Sequence, residues 1–226
     1  MEGVSAADRY RQAIALGVDY VEFDVRRTRD RMTVIHHDDW TKSGRAIRDF
    51  AYGDLTGELG PEAITLDELL EVAAGHVGLH LDLKEPGYEV EIVQTMLDRC
   101  PVDTFVITSG VEEIRKIKEE FPHVRAGLSI GDDLTGVAPW LKVRHRLSEI
   151  FPRRRMEKSL ADFMAVHQDL AVLSALRYCE RHHFAAWVWT VDDEPSIARF
   201  LADRRVAVLI TNRPDIAVRL RSLSSA

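Results

Sequence analysis

The sequence is poor in cysteine and contains no long apolar run. Two cysteines, Cys100 and Cys179, occur among 226 residues, and their spacing matches neither a CxxC pair nor a metal-ligand set. We therefore expect two buried free thiols rather than a disulfide or a zinc site. No uncharged apolar stretch approaches the about 20 residues that cross a bilayer, and Met1-Glu2-Gly3 shows no basic and apolar leader. These absences predict a cytoplasmic protein without stable membrane insertion.

The chain also lacks an excess of basic charge. It has 30 Lys and Arg residues against 37 Asp and Glu residues, a formal net charge of -7. This balance argues against a protein that coats nucleic acid, because binding to a phosphate backbone depends on clustered cations. A small anionic substrate remains compatible with it, since a metal ion or a few local cations reverse the field within one cleft. The hydrophobic content of 46% excludes disordered and fibrous classes.

Short apolar runs alternate with helical patterns along nearly the whole chain, which predicts an α/β domain built on parallel strands. Seven strands are predicted, at residues 19–25, 79–84, 104–109, 125–130, 162–167, 185–191 and 206–211. Among the helices between them, Thr65 and Glu68 form a capping-box pattern, and Pro195 and Pro214 lie at first-turn positions. No linker rich in Gly, Ser or Pro divides the chain, so we expect one domain over residues 1–226.

Seven strands are one fewer than a (β/α)₈ barrel contains. The chain opens on a helix pattern, so the strand that is lacking would be the first. The sequence therefore predicts an incomplete (β/α)₈ barrel, and a doubly wound open sheet is the alternative that needs no eighth strand. Residues 140–158, which include Arg153-Arg154-Arg155, are predicted to be a solvated insertion in a loop after a strand.

Glu22 and Asp24 are the first candidates for chemistry. Strand side chains alternate, so these two project from one face while the apolar residues around them project from the other. Two carboxylates on an otherwise buried strand are costly unless they are neutralised. A hard divalent cation would neutralise them, and so would pairing with Arg26 or Arg27.

A hairpin is predicted just after these carboxylates, because a turn pattern at residues 28–31 separates two extended runs. The hairpin would bring His36 or His37 back opposite Asp24. A lone histidine is usually a hydrogen-bonded structural group. A histidine beside paired carboxylates also suits a general acid or base next to a metal, with Asp38 orienting the ring.

The next predicted strand repeats this arrangement with His80, Asp82 and Lys84 on one face. Asp82 would complete a three-carboxylate cation site, and Lys84 would hold a phosphate oxygen. A buried ion pair between Asp82 and Lys84 is the alternative. In (β/α)₈ barrels, catalytic groups gather at the C-terminal ends of the strands, where these residues and the earlier carboxylates fall.

Two tryptophans alternate onto one side of a later strand. Trp189, at the strand end, is predicted to bind an apolar part of the substrate, whereas Trp187 is expected to fill the core. His167, at the end of another strand, is a weaker pocket candidate.

Taken in order along the chain, these motifs resemble the glycerophosphodiester phosphodiesterase family. Several joint motifs carry the resemblance, and they cover nearly the entire sequence. The matching positions are Gly17-Val18-Asp19, Glu22-Phe23-Asp24-Val25, Thr28, Asp30-Arg31, His37-Asp38, Asp82-Leu83-Lys84, Trp189-Thr190-Val191 and Thr211-Asn212-Arg213-Pro214.

The resemblance implies a (β/α)₈ barrel of lipid and glycerol metabolism. Such an enzyme hydrolyses small glycerophosphodiesters to an alcohol and glycerol 3-phosphate with one divalent cation, Mg²⁺ or Ca²⁺. The resemblance also implies roles for five residues of this chain: metal binding for Glu22, Asp24 and Asp82, acid/base catalysis for His37 and phosphate binding for Lys84.

The chain departs from the family pattern at its beginning and at two later positions. It contains no His-Arg-Gly, whose histidine is the family's second acid/base, and Asp82 and Asn212 stand where the family has Glu and Asp. Either the native protein starts upstream, which we favour because an open barrel exposes two strand edges, or the chain is complete and has given up hydrolysis. In both cases we expect weak or no phosphodiesterase activity from this chain.

Two other hypotheses remain open at this stage. One is a non-catalytic barrel, or degenerate pseudoenzyme, that binds phosphate ligands. The other is a phospholipase of the same barrel type. The sequence pattern argues against it, because we identify no amphipathic segment with aromatic ends that would bind a membrane surface.

Overall fold

A computed structural model of the protein describes residues 4–131 and 138–224. The chain divides into two compact units, Met1–Ile107 and Thr108–Ala226, and the boundary falls inside one strand. Met1-Glu2-Gly3 lies outside the described residues, so the prediction that the chain has no leader is not tested there. Among the described residues, no helix is both long enough and apolar enough to cross a membrane.

Helices and strands alternate in the first unit. In chain order they are α1 (Ala6–Ala15), β1 (Tyr20–Arg27), β2 (Thr33–Ile35), α2 (Tyr52–Leu59), α3 (Leu66–Ala73), β3 (Gly78–Leu83), α4 (Glu89–Arg99) and β4 (Phe105–Ser109). Short 3₁₀ turns occupy Ile47–Asp49, Gly60–Glu62 and Val102–Thr104. Hydrogen bonding orders the strands β2-β1-β3-β4, with β2 antiparallel and β3 parallel to β1. The strands predicted here from the sequence are therefore confirmed, to within about two residues at each end.

The start of α3 shows how local sequence sets the helix ends. Thr65 Oγ1 accepts a hydrogen bond from the Glu68 amide at 3.2 Å, and Glu68 Oε2 accepts one from the Thr65 amide at 2.8 Å. This is the capping box that the sequence predicts, and such a cap stabilises a helix by about 1 kcal/mol. The face of α3 that follows buries Leu66, Leu69, Leu70 and Ala73.

The register of β1 and β3 positions the candidate site. The parallel pairing sets Asp24 directly beside Asp82. Gly78 lies opposite Tyr20, and a Cβ at Gly78 would lie 2.6 Å from the tyrosine ring. A slip of one residue would turn every side chain of a strand to the other face. The close approach at Gly78 and the buried apolar face of β1 therefore hold the acidic residues on a common face.

The second unit continues the alternation of helix and strand. Its elements are α5 (Val111–Glu120), β5 (Ala126–Ile130), α6 (Pro139–Ile150), α7 (Arg153–Ser159), β6 (Phe163–His167), α8 (Gln168–Leu170), α9 (Leu176–His182), β7 (Ala185–Trp189), α10 (Glu194–Ala202), β8 (Val206–Leu209) and α11 (Pro214–Ser224). A π-helical turn, Ala171–Ala175, joins α8 to α9. The strands β5-β6-β7-β8 pair in that order and are parallel.

Trp187 fills the core of the second unit, as the sequence predicts. Its ring is 1% exposed and lies 4.7 Å from the ring of Phe163, measured between centroids. Cys100 and Cys179 are buried and free, which confirms the prediction made for both thiols.

The predicted loop insertion at residues 140–158 is wrong in its secondary structure. Two helices, α6 and α7, occupy most of this stretch. A proline stands in the first turn of α6, a position that favours helix initiation. Arg153 is solvated as expected, whereas Arg155 is only partly exposed and its guanidinium lies 3.9 Å from the Glu149 carboxylate. The basic run is therefore partly used inside the unit.

Candidate metal centre and active site

Three carboxylates converge on the adjacent strands β1 and β3 of the first unit. One oxygen from each of Glu22, Asp24 and Asp82 lies within 4.8 Å of the others. Alternation puts Glu22 and Asp24 on one face of β1, and the parallel register adds Asp82 from β3. The structure thus brings together the three residues that the sequence singles out as metal ligands, and their role as ligands stays a prediction.

Lys84 lies among these carboxylates. Its Nζ is 2.8 Å from Asp24 Oδ1 and 2.6 Å from Asp82 Oδ2. The ion pair between Asp82 and Lys84, which the sequence left as an alternative, is therefore formed and extends to Asp24. Burial lowers the pKa of Lys84, but attraction to Asp82 and Asp24 outweighs burial, so the pKa is raised above its ordinary value.

The carboxyl group of Glu22 is buried close to two other acidic side chains. Burial, followed by repulsion from Asp24 and Asp82, raises the pKa of Glu22 well above its ordinary value, and Lys84 opposes that rise. Burial, followed by repulsion from Glu22 and Asp24, also raises the pKa of the Tyr10 phenol, which places α1 beside the group. A multivalent cation would favour the ionised carboxylates, and an all-oxygen donor set is the set that Mg²⁺ and Ca²⁺ prefer. The residues present therefore fit a hard divalent cation.

The predicted hairpin is formed and sets two histidines beside β1. The His36 amide donates a hydrogen bond to the Asp24 carbonyl at 3.0 Å. The His36 ring is half-buried, and burial lowers its pKa. His37 has a side chain that is 74% exposed, and its Nδ1 lies 2.8 Å from Asp38 Oδ1. Of the two, His37 is therefore the imidazole that solvent and a substrate can reach, and Asp38 contacts its ring.

Arg26 has a role in this region that sequence reasoning missed. Its guanidinium is 6% exposed and donates to the His37 carbonyl through Nε at 3.1 Å and Nη2 at 2.7 Å. Nη1 pairs with Asp39 and lies 3.2 Å from Glu85 Oε1. Arg26 therefore holds the backbone at His37 instead of neutralising the carboxylates of β1. The turn pattern predicts the hairpin, but it does not specify that the returning backbone places the His37 carbonyl against the Arg26 guanidinium.

Arg27 likewise pairs away from the acidic group. Its Nη2 lies 2.8 Å from Glu91 Oε1, and its guanidinium stacks over the ring of Tyr88 with the carbon 4.4 Å from the centroid. In the described part of the chain, Lys84 is therefore the cation that contacts Asp24. The sequence analysis considered Arg26 or Arg27 for this pairing.

Trp189 belongs to the second unit, at the end of β7. Its ring meets the ring of His167 edge-on, with centroids 5.3 Å apart. Gly131 follows β5 with φ of +120°, and a Cβ on it would lie 2.4 Å from the His167 Cβ and 3.3 Å from the Trp189 ring. The C-terminal ends of β5, β6 and β7 therefore meet around a glycine, while contact of Trp189 with substrate stays a prediction.

Comparison with known proteins identifies the family to which this arrangement belongs. The model of the glycerophosphoryl diester phosphodiesterase family matches residues 7–135, which is more than half of the chain and includes every residue of the acidic group. A Mycobacterium tuberculosis protein named "Probable glycerophosphodiester phosphodiesterase 2" is 27% identical over 223 residues, which cover 92% of this chain and 81% of that protein.

Two solved structures share the fold. A glycerophosphodiester phosphodiesterase from Parabacteroides distasonis superposes with a TM-score of 0.80 at 18% identity, over 100% of this chain and 94% of that one. An Oleispira antarctica phosphodiesterase, solved in complex with the product sn-glycerol-3-phosphate, gives 0.75 at 21% identity, over 97% and 90%. These likenesses confirm the predicted incomplete (β/α)₈ barrel over the doubly wound alternative. The match of the family model over residues 7–135 shows that the chain belongs to the glycerophosphoryl diester phosphodiesterase family of enzymes.

Proposed function

We propose that this protein hydrolyses small glycerophosphodiesters to an alcohol and glycerol 3-phosphate, with a divalent cation, Mg²⁺ or Ca²⁺, held by Glu22, Asp24 and Asp82. The observation that carries the proposal is the approach of these three carboxylates to within 4.8 Å inside the segment that the family model matches. The Oleispira relative binds sn-glycerol-3-phosphate as its product, which supports the same product class here.

Charge is the reason for this arrangement. A phosphodiester carries one negative charge and its transition state gathers more, so a bound cation stabilises the transition state over the ground state. Lys84 adds a positive charge at the same strand ends, since its Nζ lies within 2.8 Å of Asp24 Oδ1. We assign to Lys84 the contact with a phosphate oxygen, because an ammonium donates charge-assisted hydrogen bonds to such oxygens.

His37 is the group to which we assign proton transfer. A protonated imidazole can give a proton to a departing alkoxide. The His37 ring is exposed, Asp38 contacts its Nδ1 at 2.8 Å, and Arg26 fixes its backbone carbonyl. These contacts orient the ring while leaving it accessible. Trp189 completes the assignment as the residue that contacts an apolar part of the substrate.

Thermal unfolding tests the cation site without requiring turnover. We expect Mg²⁺ or Ca²⁺ to raise the Tm, because an ion that binds only the folded state at one hundred times its Kd stabilises it by about 2.7 kcal/mol. Asp24→Asn should abolish the shift. Asp103→Asn, a matched change at an exposed aspartate of the same unit, should retain it. The absence of any shift in the unmodified protein would contradict the cation site.

Product formation from glycerophosphocholine tests the reaction itself. We expect weak turnover by this chain, which depends on the cation and falls further in His37→Asn. Calorimetry with glycerol 3-phosphate separates the main alternative: binding of that ligand with no product at any cation concentration would favour a non-catalytic barrel. Robust turnover would contradict the expectation that activity is weak.

A further inference from the structure

The helix α6 is turned with its apolar face toward solvent. Trp140, Val143, Leu147 and Phe151 recur at the spacing of one helical stripe, and they are 66%, 61%, 51% and 71% exposed. The stripe runs along α6 to the residue that caps its C-terminus and has an aromatic residue at each end. The sequence-based statement that the chain has no amphipathic segment with aromatic ends is therefore wrong.

The inward face of α6 fixes this orientation. The side chain of Glu149 is 0% exposed and accepts hydrogen bonds from the Gly131 amide at 2.9 Å and from Arg146 Nη1 at 2.7 Å. His145 Nε2 lies 3.4 Å from the same carboxylate. Rotating the helix to bury its apolar stripe would break these contacts. The buried carboxylate of Glu149 would then lack its partners, which is strongly destabilising. The contacts of Glu149 therefore fix the outward orientation of the apolar stripe within the second unit.

The segment that carries the stripe is strongly basic. Residues 139–159 contain seven Lys and Arg residues against two Glu residues, a formal charge of +5 in a chain whose net charge is -7. Arg144, Arg153, Arg154 and Lys158 are exposed. The π-helical turn contacts α6 and adds two more exposed apolar side chains, Val172 and Leu173. Apolar and basic groups therefore lie together on one part of the second unit.

We propose that the surface formed by Trp140, Val143, Leu147 and Phe151, here called the α6 face, docks on an anionic phospholipid surface. A helix that lies in a lipid interface combines an aromatic and aliphatic face with basic residues at its margins. Anionic headgroups complement the charge of +5, whereas a symmetric contact between the α6 faces of two copies would oppose one basic segment with another. The proposal does not depend on the hydrolytic activity.

Sedimentation with lipid vesicles tests this proposal. We expect the protein to sediment with vesicles of phosphatidylglycerol and phosphatidylcholine at low salt, to bind much less to phosphatidylcholine alone, and to be released as salt is raised. The double variant Trp140→Ala with Phe151→Ala should reduce partitioning by about tenfold or more, because two large apolar groups are lost from the contact. Arg144→Glu with Arg154→Glu should also reduce it.

A matched control separates the α6 face from apolar exposure in general. Trp40 is 53% exposed and lies in the first unit, so Trp40→Ala should leave partitioning unchanged. All of these side chains are at the surface, and circular dichroism verifies that the variants fold. Failure of the unmodified protein to bind anionic vesicles at low salt, or equal effects of Trp40→Ala and the double variant, would overturn the proposal. Self-association that the double variant abolishes, without vesicle binding, would also overturn it and indicate a second copy as the occupant.

Discussion

Arg26 joins three segments of the first unit through one buried guanidinium. It donates to the His37 carbonyl and pairs with Asp39 and Glu85. A truncated side chain would leave the His37 carbonyl without this buried donor and would remove the ion pairs to Asp39 and Glu85. We expect Arg26→Ala to lower the free energy of unfolding by about 2 to 3 kcal/mol, as the loss of a buried charged hydrogen-bond partner does. Urea denaturation measures this change.

Arg99→Ala is the matched control for that prediction. The guanidinium of Arg99 pairs with Asp67 at 2.7 Å on the surface of the same unit. Exposed pairs of this kind contribute less than about 1 kcal/mol. Equal losses of stability in the two variants would show that Arg26 is not the anchor of the His37 backbone.

Residue positions on one strand could be predicted from the sequence, whereas contacts between distant segments could not. Alternation alone put Glu22 and Asp24 on a common face, and the same rule put Asp82 and Lys84 together. The bond from Arg26 to the His37 carbonyl depends on how far the hairpin returns, so the sequence showed only that Arg26 was available.

The turn between β1 and β2 carries a conformational cost at Arg31. Its φ is +67°, in the left-handed region where a residue other than glycine costs about 1 to 2 kcal/mol. We expect Arg31→Gly to raise the free energy of unfolding by about 0.5 to 1 kcal/mol, because relief of the backbone exceeds the loss of an exposed pair with Glu91. Urea or thermal denaturation measures the gain.

The neighbouring residue Arg29 supplies the control for the turn. It lies in the same turn but is not among the residues with positive φ. Arg29→Gly should therefore lower stability, since glycine gains freedom in the unfolded chain without relieving strain. A gain of stability from both substitutions would show that the left-handed conformation of Arg31 is not the cause.

Secondary structure was predictable wherever local signals mark the ends of an element. The capping box at Thr65 and the first-turn prolines of α10 and α11 appear as predicted, and so do the strands. The charges of residues 140–158 indicate solvation and predict a loop insertion, whereas the structure has α6 and α7 there. The rotation of α6 is set by the hydrogen bond from the Gly131 amide to Glu149, a contact across 18 residues that no helical pattern contains.

Each of the two units contains one cysteine, whose reactivity reports whether that unit is folded. Cys100 lies in the first unit and Cys179 in the second, and both are buried. Burial raises the pKa of Cys179 to about 12, so its thiol stays protonated and unreactive in the folded state at neutral pH. An unfolded thiol ionises near pH about 8.5. The contribution of the Cys179 thiol to the free energy of unfolding is therefore fully present below the pKa of the unfolded thiol. It is lost as the pH rises toward the pKa of the folded state.

We propose that residues 1–226 unfold as one domain. The boundary between the units falls after Ile107, inside β4, so loss of either unit removes part of that strand. We expect Cys100 and Cys179 to become reactive toward a thiol reagent at the same urea concentration. The variants Cys100→Ala and Cys179→Ala assign each signal to its residue. Two separate midpoints would indicate units that unfold independently.

The ammonium of Lys84 gives the acidic strand ends a counter-charge of their own. It contacts Asp24 and Asp82 directly, so two of three neighbouring negative groups are compensated by the polypeptide itself. We therefore expect the C-terminal ends of β1 and β3 to fold without a bound ion. The protein should therefore remain folded in purification buffers that contain a chelator. Proteins that fold only around an obligatory metal unfold under those conditions.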